Sequence, residues 1–321
     1  MKRSLLVGAT ALLVLAMTGC GDPPAAAAEA DAVAKAQRDA YPKQILDWRA
    51  ARVQRLTRPD GWLSLVGMHW IEPGSTRVGS DADNGTRLSV GPPHIGTLTV
   101  SREGRVNFQP QPDSGILIDG APATSAARLV TDADPEAKPT VVGFNKGDAS
   151  FVVIKRGDRL ALRVRDALAP TRTGFSRIPT FEIDPAFRFE AKFTAHPEGK
   201  KLEIVNILGM VEPMDNPGTV TFEKDGKPYT LEAVDEGDHT LFLIYADRTS
   251  GHESYAAARF LYADYPDAQG RTIVDFNKGY NPPCAFTGFS TCPMPPLSNR
   301  LDLAITAGEK KPLKPGMAGL E

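Results

Sequence analysis

From Trp62 onward, apolar and polar residues alternate in short runs, a pattern typical of β-strands that bury one face. The clearest run is 187–194, in which Phe187, Phe189, Ala191 and Phe193 alternate with polar side chains. Further strands are predicted over residues 97–101, 105–108, 151–155, 160–165, 202–211, 219–224, 227–234, 241–246, 258–262 and 272–276. Short strands at this spacing, several of them joined by hairpin turns such as Asp225-Gly226, favour a mainly β fold with antiparallel sandwich or barrel architecture.

The pattern also divides the chain. Residues 42–57 are predicted to form one N-terminal helix, with Pro42 in its first turn and an apolar stripe of Ile45, Trp48 and Leu56. Two β units follow, a sandwich-like one over residues 58–168 and a second over residues 169–310, and residues 311–321 form a tail. Within the second unit, residues 277–300 carry five prolines and show neither a helical nor a strand period, which predicts a long irregular loop.

The first 20 residues have the features of an export signal. Two basic residues precede an apolar stretch over residues 4–17, which is too short to span a membrane. Met17-Thr18-Gly19-Cys20 is typical of a bacterial lipobox, which predicts a signal peptide over residues 1–19 and lipidation of Cys20; the alternative is a plain secretory signal. Residues 20–41 then form a tether, and the body lies in the bacterial cell envelope, anchored to the membrane and facing the periplasm or the cell exterior.

Three arginines, Arg49, Arg52 and Arg55, recur at spacings of three on the predicted helix. Such a row is typical of a solvated helix face. The alternative is attraction to anionic head groups beside the anchor.

The cysteine count agrees with a lipid anchor. Of three cysteines, lipidation of Cys20 leaves Cys284 and Cys292 as a pair. In an oxidising compartment this pair predicts a disulfide that would staple residues 277–300. The alternative is two reduced thiols, one of them buried.

Composition and motifs exclude several classes of function. The net charge of −2 argues against a nucleic-acid-binding surface of global extent, so nucleic acid is not a predicted partner. Residues 252–256 begin like a zinc-protease helix but carry Ala256 in place of the second His, and residues 81–85 depart from a calcium loop. Since phosphate-binding and dinucleotide-binding glycine loops are also missing, neither a cofactor nor a metal is predicted.

Several segments resemble one family. They are residues 58–70 (RPDGWLSLVGMHW), 247–255 (DRTSGHESY), 259–262 (RFLY), 275–286, and the Cys292-Pro293, Pro295-Pro296 and Asn299-Arg300-Leu301 motifs. The resemblance is to the bacterial, uncharacterised family catalogued as domain of unknown function 1684, and it covers roughly residues 45–309. It implies no established activity.

Polar residues concentrate around the last predicted strands, where the two ends of an antiparallel meander can meet. The candidate ligand-binding residues are Asp247, His252, Glu253, Tyr255, Arg259, Asp275, Asn277, Tyr280, Asn281 and Arg300. The alternative is that they satisfy the backbone of an irregular loop.

Three functions remain open. The favoured one is a non-enzymatic domain that binds a polar small molecule or an envelope protein through residues 247–259 and 275–300. The second is a periplasmic hydrolase or transferase that uses His252 or His69 as base with a nearby carboxylate. The third is a scaffold or assembly factor whose docking surface is residues 277–300.

Overall fold

The computed structural model describes residues 23–134 and 136–313. It divides into two compact units between Gln44 and Ile45. The predicted signal peptide, Cys20 and residues 314–321 of the predicted tail lie outside the described residues, so these expectations stay predictions.

A single long helix, α1 (Pro23–Thr57), opens the described chain. It begins before the expected start at Pro42, and Pro42 lies inside it. The reason is local, because the segment before Pro42 is rich in Ala, the residue that most favours helix. None of the helices within residues 23–134 and 136–313 combines the length and the apolar character that a membrane crossing requires.

The rest of the chain is mainly β, which confirms the predicted fold class. The strands are β1 (Leu65–Ile71), β2 (Gly74–Gly79), β3 (Thr86–Arg87), β4 (Gly96–Val100), β5 (Val106–Pro110), β6 (Leu117–Ile118), β7 (Ala121–Pro122), β8 (Ala127–Leu129), β9 (Val142–Phe144), β10 (Ala149–Arg156), β11 (Arg159–Asp166), β12 (Arg188–Ala195), β13 (Lys201–Val205), β14 (Val211–Lys224), β15 (Lys227–Asp235), β16 (Thr240–Tyr245), β17 (Arg259–Asp264) and β18 (Arg271–Asp275). Helical turns lie at α2 (Pro170–Thr173) and, as 3₁₀ helices, at Trp62–Ser64, Asn145–Gly147, Pro185–Phe187, Phe276–Lys278, Pro283–Ala285 and Leu297–Asn299.

Two sheets built from residues 65–166 share one hydrophobic core. One has the order β1-β11-β10-β9-β6-β7 and the other the order β3-β2-β4-β5-β8. Their pairs are antiparallel apart from the short parallel pair β2–β3. Apolar side chains from both sheets form a single cluster, in which Phe108 of β5 packs edge-on against Phe151 of β10 at a centroid distance of 5.7 Å. The two sheets therefore face each other as a sandwich.

The third sheet is a nearly closed barrel. Its order is β17-β16-β15-β14-β12-β18, with β13 paired to β14. The two end strands approach each other, and the Thr272 hydroxyl donates to the carbonyl of Asp264 at 2.6 Å. Leu231, Leu243 and Phe276 belong to the apolar cluster inside the sheet. The Asp225-Gly226 turn joins β14 to β15 with φ of 54° and 73°, as the hairpin signal predicts.

One strand expectation is wrong. Residues 202–211 do not form a continuous strand, because β13 ends at Val205 and the chain turns before β14 begins at Val211. The Asn206 carboxamide Oδ1 accepts the backbone N–H of Leu208 at 2.9 Å and of Met210 at 3.2 Å, and Gly209 adopts φ of 80°. Most residues of this turn are apolar, whereas turns are usually polar. The sequence therefore gives no drop in hydrophobicity that would mark the end of the strand.

Two of the three helix arginines also differ from expectation. Arg52 is buried, its Nε lies 3.2 Å from the Glu309 carboxylate, and its Nη2 donates to the carbonyl of Asn281 at 2.9 Å. Arg49 donates to the hydroxyl of Thr180 at 3.0 Å. The spacing explains this, since positions 45, 49, 52 and 56 share one helix face and the buried Ile45 and Leu56 lie on it. Only Arg55 is exposed.

Candidate functional site

Asp247 and Arg259 form a buried ion pair. The Asp247 Oδ2 lies 2.9 Å from Nη2 of Arg259 and also accepts the backbone N–H of Ile305 at 2.7 Å. The Arg259 guanidinium donates to the carbonyls of Ile305 at 2.9 Å and Ala307 at 2.5 Å. Neither side chain is more than 1% exposed. The pair thus holds the chain after Leu301 against the start of β17.

Asp275, Asn277 and Asn281 hold other irregular segments. The Asp275 carboxylate accepts the Asn277 backbone N–H at 3.1 Å, and the Asn277 side chain donates to the carbonyl of Asp184 at 2.8 Å. Asn281 donates its backbone N–H to the Glu309 carboxylate at 2.7 Å. Burial raises the pKa of Glu309, and the neighbouring Arg52 opposes that rise.

The remaining predicted residues do not converge. His252, Glu253 and Arg300 are exposed, and the Tyr255 hydroxyl donates to the carbonyl of Cys284 at 3.1 Å. Tyr280 alone among the ten predicted residues lines the cavity described next. His69 lies on β1, in the other β unit, and burial lowers its pKa. The structure therefore spreads the predicted set over several places, and most of its members bond to the backbone.

A cavity of about 390 Å³ is lined by residues of the sandwich and of the barrel. The first unit contributes Trp62, Arg156 and Arg163 to its lining. The hairpin β13–β14 contributes Ile204, Asn206, Glu212 and Met214, and the segment after the barrel contributes Pro283 and residues 290–293. The cavity thus combines charged, apolar and sulfur-bearing groups from distant parts of the chain.

Among the residues that line the cavity, Arg163 is a buried cation with an unsatisfied hydrogen-bond donor. Its residue is 7% exposed, and its Nε has no hydrogen-bond partner among the described residues. The guanidinium lies 5.4 Å from the ring centroid of Trp62. Burial, followed by repulsion from Arg156, lowers the pKa of Arg163 to about 10. The nearby carboxylate of Asp132 bonds Arg156 at 2.8 Å instead. A buried cation without a paired anion is costly, and such groups mark functional sites.

The opposite wall is aromatic. Phe242 packs edge-on against Phe260 at 4.9 Å between centroids and stacks on Tyr262 at 4.8 Å. The Tyr262 hydroxyl donates to the Glu236 carboxylate, and burial is the main cause that raises the pKa of Tyr262. Asn206 also lines the cavity, and its Nδ2 has no partner within the described part of the chain. A ligand here would meet the guanidinium groups of Arg163 and Arg156, the carboxylates of Glu212 and Glu236, the free amide of Asn206 and flat apolar faces.

Cys292, which lines the cavity, lies beside Cys284, and both are thiols. The backbone N–H of Cys284 donates to Sγ of Cys292 at 3.1 Å, and the backbone N–H of Cys292 donates to Sγ of Cys284 at 3.3 Å. The structure contains no S–S bond between them, so the predicted disulfide is not observed. A hydrogen bond from the Cys292 thiol is the main cause that lowers the pKa of Cys284 to about 6, and the same contact raises the pKa of Cys292.

One group of possible metal ligands occurs among the described residues. Asp81, Asp83 and His94 each offer a ligand atom within 4.8 Å of the others. Both carboxylates are exposed, and Asp83 already pairs with Arg77 at 3.0 Å.

Sequence reasoning missed Arg163, Arg156 and Trp62. The available signal was a charged residue inside the apolar strand β11, where Leu160, Leu162 and Val164 face the sandwich core and Arg163 faces away.

Comparisons with known proteins give a family but no activity. The family model described as "Protein of unknown function (DUF1684)" matches residues 173–310, a shorter span than the resemblance over residues 45–309. The solution NMR structure of an uncharacterized protein from Haloarcula marismortui is 32% identical in sequence, over 43% of this chain and 78% of that chain, with a TM-score of 0.36. No curated protein matches the chain. The chain belongs to the DUF1684 family of proteins of unknown function.

Proposed function

We propose that the chain binds a small organic anion in the cavity lined by the sandwich and the barrel, with Arg163 supplying the positive charge. The observation that carries this proposal is the buried guanidinium of Arg163, whose Nε has no partner in the described structure. An anion bound there would complete its hydrogen bonds and compensate its charge.

The size and lining of the cavity narrow the ligand class. Its volume of about 390 Å³ lies within the range usual for small-molecule sites. Apolar faces from Trp62, Phe242 and Met214 favour a ligand that has a carbon skeleton besides its charged group. Pro283 and residues 290–293 line the cavity, so part of the predicted binding region contributes to this proposal.

The test is calorimetric titration and thermal unfolding with a defined set of probes. Succinate and inorganic phosphate are the anions, and succinamide is the uncharged match to succinate. We expect at least one anion to bind and to raise the melting temperature, and succinamide to do neither. If no anion binds, or if succinamide binds equally well, the proposal is wrong.

Two variants make the test specific to one side chain. Arg163→Met should abolish anion binding, and Arg159→Met is its control, because Arg159 lies on the same strand and also stacks on a tryptophan (Trp70, 4.0 Å) but is exposed. Without ligand, Arg163→Met should be at least as stable as the natural protein, because the substitution removes an unpaired buried charge. If Arg163 served only to stabilise the fold, Arg163→Met would instead be less stable than the natural protein.

We also propose that the protein is a lipoprotein of the cell envelope. The support is the sequence of residues 1–20, with its basic start, short apolar stretch and Met17-Thr18-Gly19-Cys20. Globomycin should block processing, and Cys20→Ala should abolish incorporation of labelled palmitate. Unchanged processing in globomycin would contradict the anchor.

The disulfide between Cys284 and Cys292 is likewise a proposal. It is supported by the two sulfurs lying within hydrogen-bond reach of each other's backbone N–H. Closing so short a loop would stabilise the fold by about 2–3 kcal/mol. Intact mass of protein isolated from the envelope would lack two hydrogens if the bond forms, and a mass with both thiols would contradict it.

A further inference from the structure

One of the two cysteines lines the same cavity as the unpaired cation, and the other contacts a residue of its lining. Cys292 and Ser290 line the cavity together with Arg163. Cys284 is half-buried beside Pro283, another lining residue, and its Sγ lies 3.0 Å from the Ser290 hydroxyl. The chain therefore brings a dithiol and an anion-binding group to one place.

The surroundings of Cys284 stabilise a thiolate. Its Sγ accepts the backbone N–H of Cys292 at 3.3 Å and contacts the Ser290 hydroxyl. The Cys292 thiol lowers the pKa of Cys284, and the positive charge of Arg163 also favours the anion. Cys292 lacks this advantage, since the adjacent Cys284 disfavours its ionisation. One sulfur is thus prepared as a nucleophile and its neighbour as a proton donor.

We infer that Cys284 and Cys292 form a redox-active dithiol that reduces a small anionic disulfide bound in the cavity through Arg163. The preference for an anion rests on the proposed function of Arg163. The thiol exchange itself rests on a separate observation, the contact between the two cysteines.

The reaction balances within the dithiol and its substrate. The Cys284 thiolate attacks one sulfur of the substrate disulfide, so a Cys284–substrate S–S bond forms and the first substrate thiolate leaves. The Cys292 thiol gives its proton to that thiolate and attacks Sγ of Cys284, which releases the second thiolate and forms the Cys284–Cys292 bond. Two electrons pass from the protein sulfurs to the substrate, which ends as one thiol and one thiolate.

The experiment uses the reduced full chain in a single turnover. Oxidised glutathione is the anionic probe and hydroxyethyl disulfide is the uncharged probe. The reaction is quenched by alkylation, and peptide mapping separates the Cys284 and Cys292 peptides from Cys20. We expect oxidised glutathione to form the Cys284–Cys292 disulfide faster than hydroxyethyl disulfide does.

Variants assign the steps. Cys292→Ser should accumulate a mixed disulfide on Cys284, whereas Cys284→Ser and Cys284→Ala should leave Cys292 unreacted. A mixed disulfide on Cys292 instead, or reaction of the natural chain no faster than of the urea-unfolded chain, would overturn the inference. If Cys292 stays unreacted in both Cys284→Ser and Cys284→Ala, the result does not come from a folding defect of one variant.

The role of Arg163 is tested by comparing the reaction rates with the anionic and the uncharged disulfide. Arg163→Met should slow reaction with oxidised glutathione by about tenfold more than reaction with hydroxyethyl disulfide, the value of one charged hydrogen bond. The two rates are compared because the charge of Arg163 also favours the Cys284 thiolate, which attacks both disulfides. Arg159→Met should change neither rate. If Arg163→Met loses succinate binding yet changes the rates with the two disulfides by the same factor, the preference for an anionic disulfide is refuted while the anion site stands. If no anion binds but the dithiol still reacts through Cys284, the proposed function fails and the exchange activity stands.

Discussion

The buried pair Asp247–Arg259 allows a direct test of whether the predicted polar cluster supports the fold. The change is Asp247→Asn, which keeps the shape of the side chain and removes its charge. Arg259 then keeps a guanidinium that is 1% exposed and has lost its carboxylate. The backbone N–H of Ile305 also loses a charged acceptor that lies 2.7 Å away.

The expected cost follows from these contacts. Breaking a buried ion pair from one side costs about 3–5 kcal/mol, because the other charge is left uncompensated. This is a large share of the stability of an ordinary domain, about 5–15 kcal/mol. Each kcal/mol lowers the melting temperature by about 2–4 °C in a chain of this size. Asp247→Asn should therefore unfold at least several degrees below the natural protein.

The assay is equilibrium unfolding in urea, followed by circular dichroism, with a matched exposed pair as control. Arg248 and Asp302 also form an ion pair, but their side chains are 65% and 62% exposed. Asp302→Asn should change the free energy of unfolding by less than about 1 kcal/mol. Arg259→Met combined with Asp247→Asn should be less damaging than the sum of the two single changes, because no lone charge remains.

A small effect would refute this reasoning. If Asp247→Asn costs no more than Asp302→Asn, the buried pair is not what holds the chain after Leu301. The prediction that Asp247 and Arg259 bind a ligand would then gain support.

Three further predictions concern the same half of the molecule. Asn299→Ala should cost about 3 kcal/mol in urea unfolding, because its side chain makes three hydrogen bonds to the backbone of β15 and β16, while Ser298→Ala should cost little. The rate at which iodoacetamide alkylates Cys284, followed by peptide mapping, should rise with pH through about 6 and then level off, because the thiolate is the reactive form and the pKa of Cys284 is about 6. A rate that rises only near the ordinary pKa of 9.0 would contradict this prediction. Gly308→Ala should lower the melting temperature, because φ is 80° and a Cβ would lie 2.4 Å from a backbone oxygen, whereas Gly288→Ala meets open space and should have little effect.

Much of the fold follows from local sequence patterns. Strand alternation is visible wherever a strand buries one face, as in β12, and the Asp225-Gly226 turn has its own chemical signature. The turn at 206–210 was missed because its residues are apolar and the Asn206 side chain replaces the usual turn residues. In this chain the end of a strand could be predicted where a polar turn follows it, but not where the turn is apolar.

The candidate site was less predictable. Asp247, Arg259 and Asn277 were identified as polar residues in unusual places, but sequence could not show whether backbone or ligand would satisfy them. The structure gives them backbone and side-chain partners within the chain. Arg163 was not identified, because a single arginine in a β-strand is ordinary until the sheet face that it occupies is known.

The positions of Arg156 and Arg163 explain why the proposed anion site depends on Arg163 and not on Arg156. Arg156 bonds Asp132 at 2.8 Å and the Thr291 hydroxyl at 3.0 Å, so it connects the sandwich to the segment that carries the cysteines. Its charge is compensated and its position is fixed by contacts on both sides. Arg163 lies deeper, beside this contact, and the nearby carboxylate is already engaged. The same contact therefore leaves Arg163 without a paired carboxylate, at a cavity that Cys292 also lines, and this supports the proposed anion site.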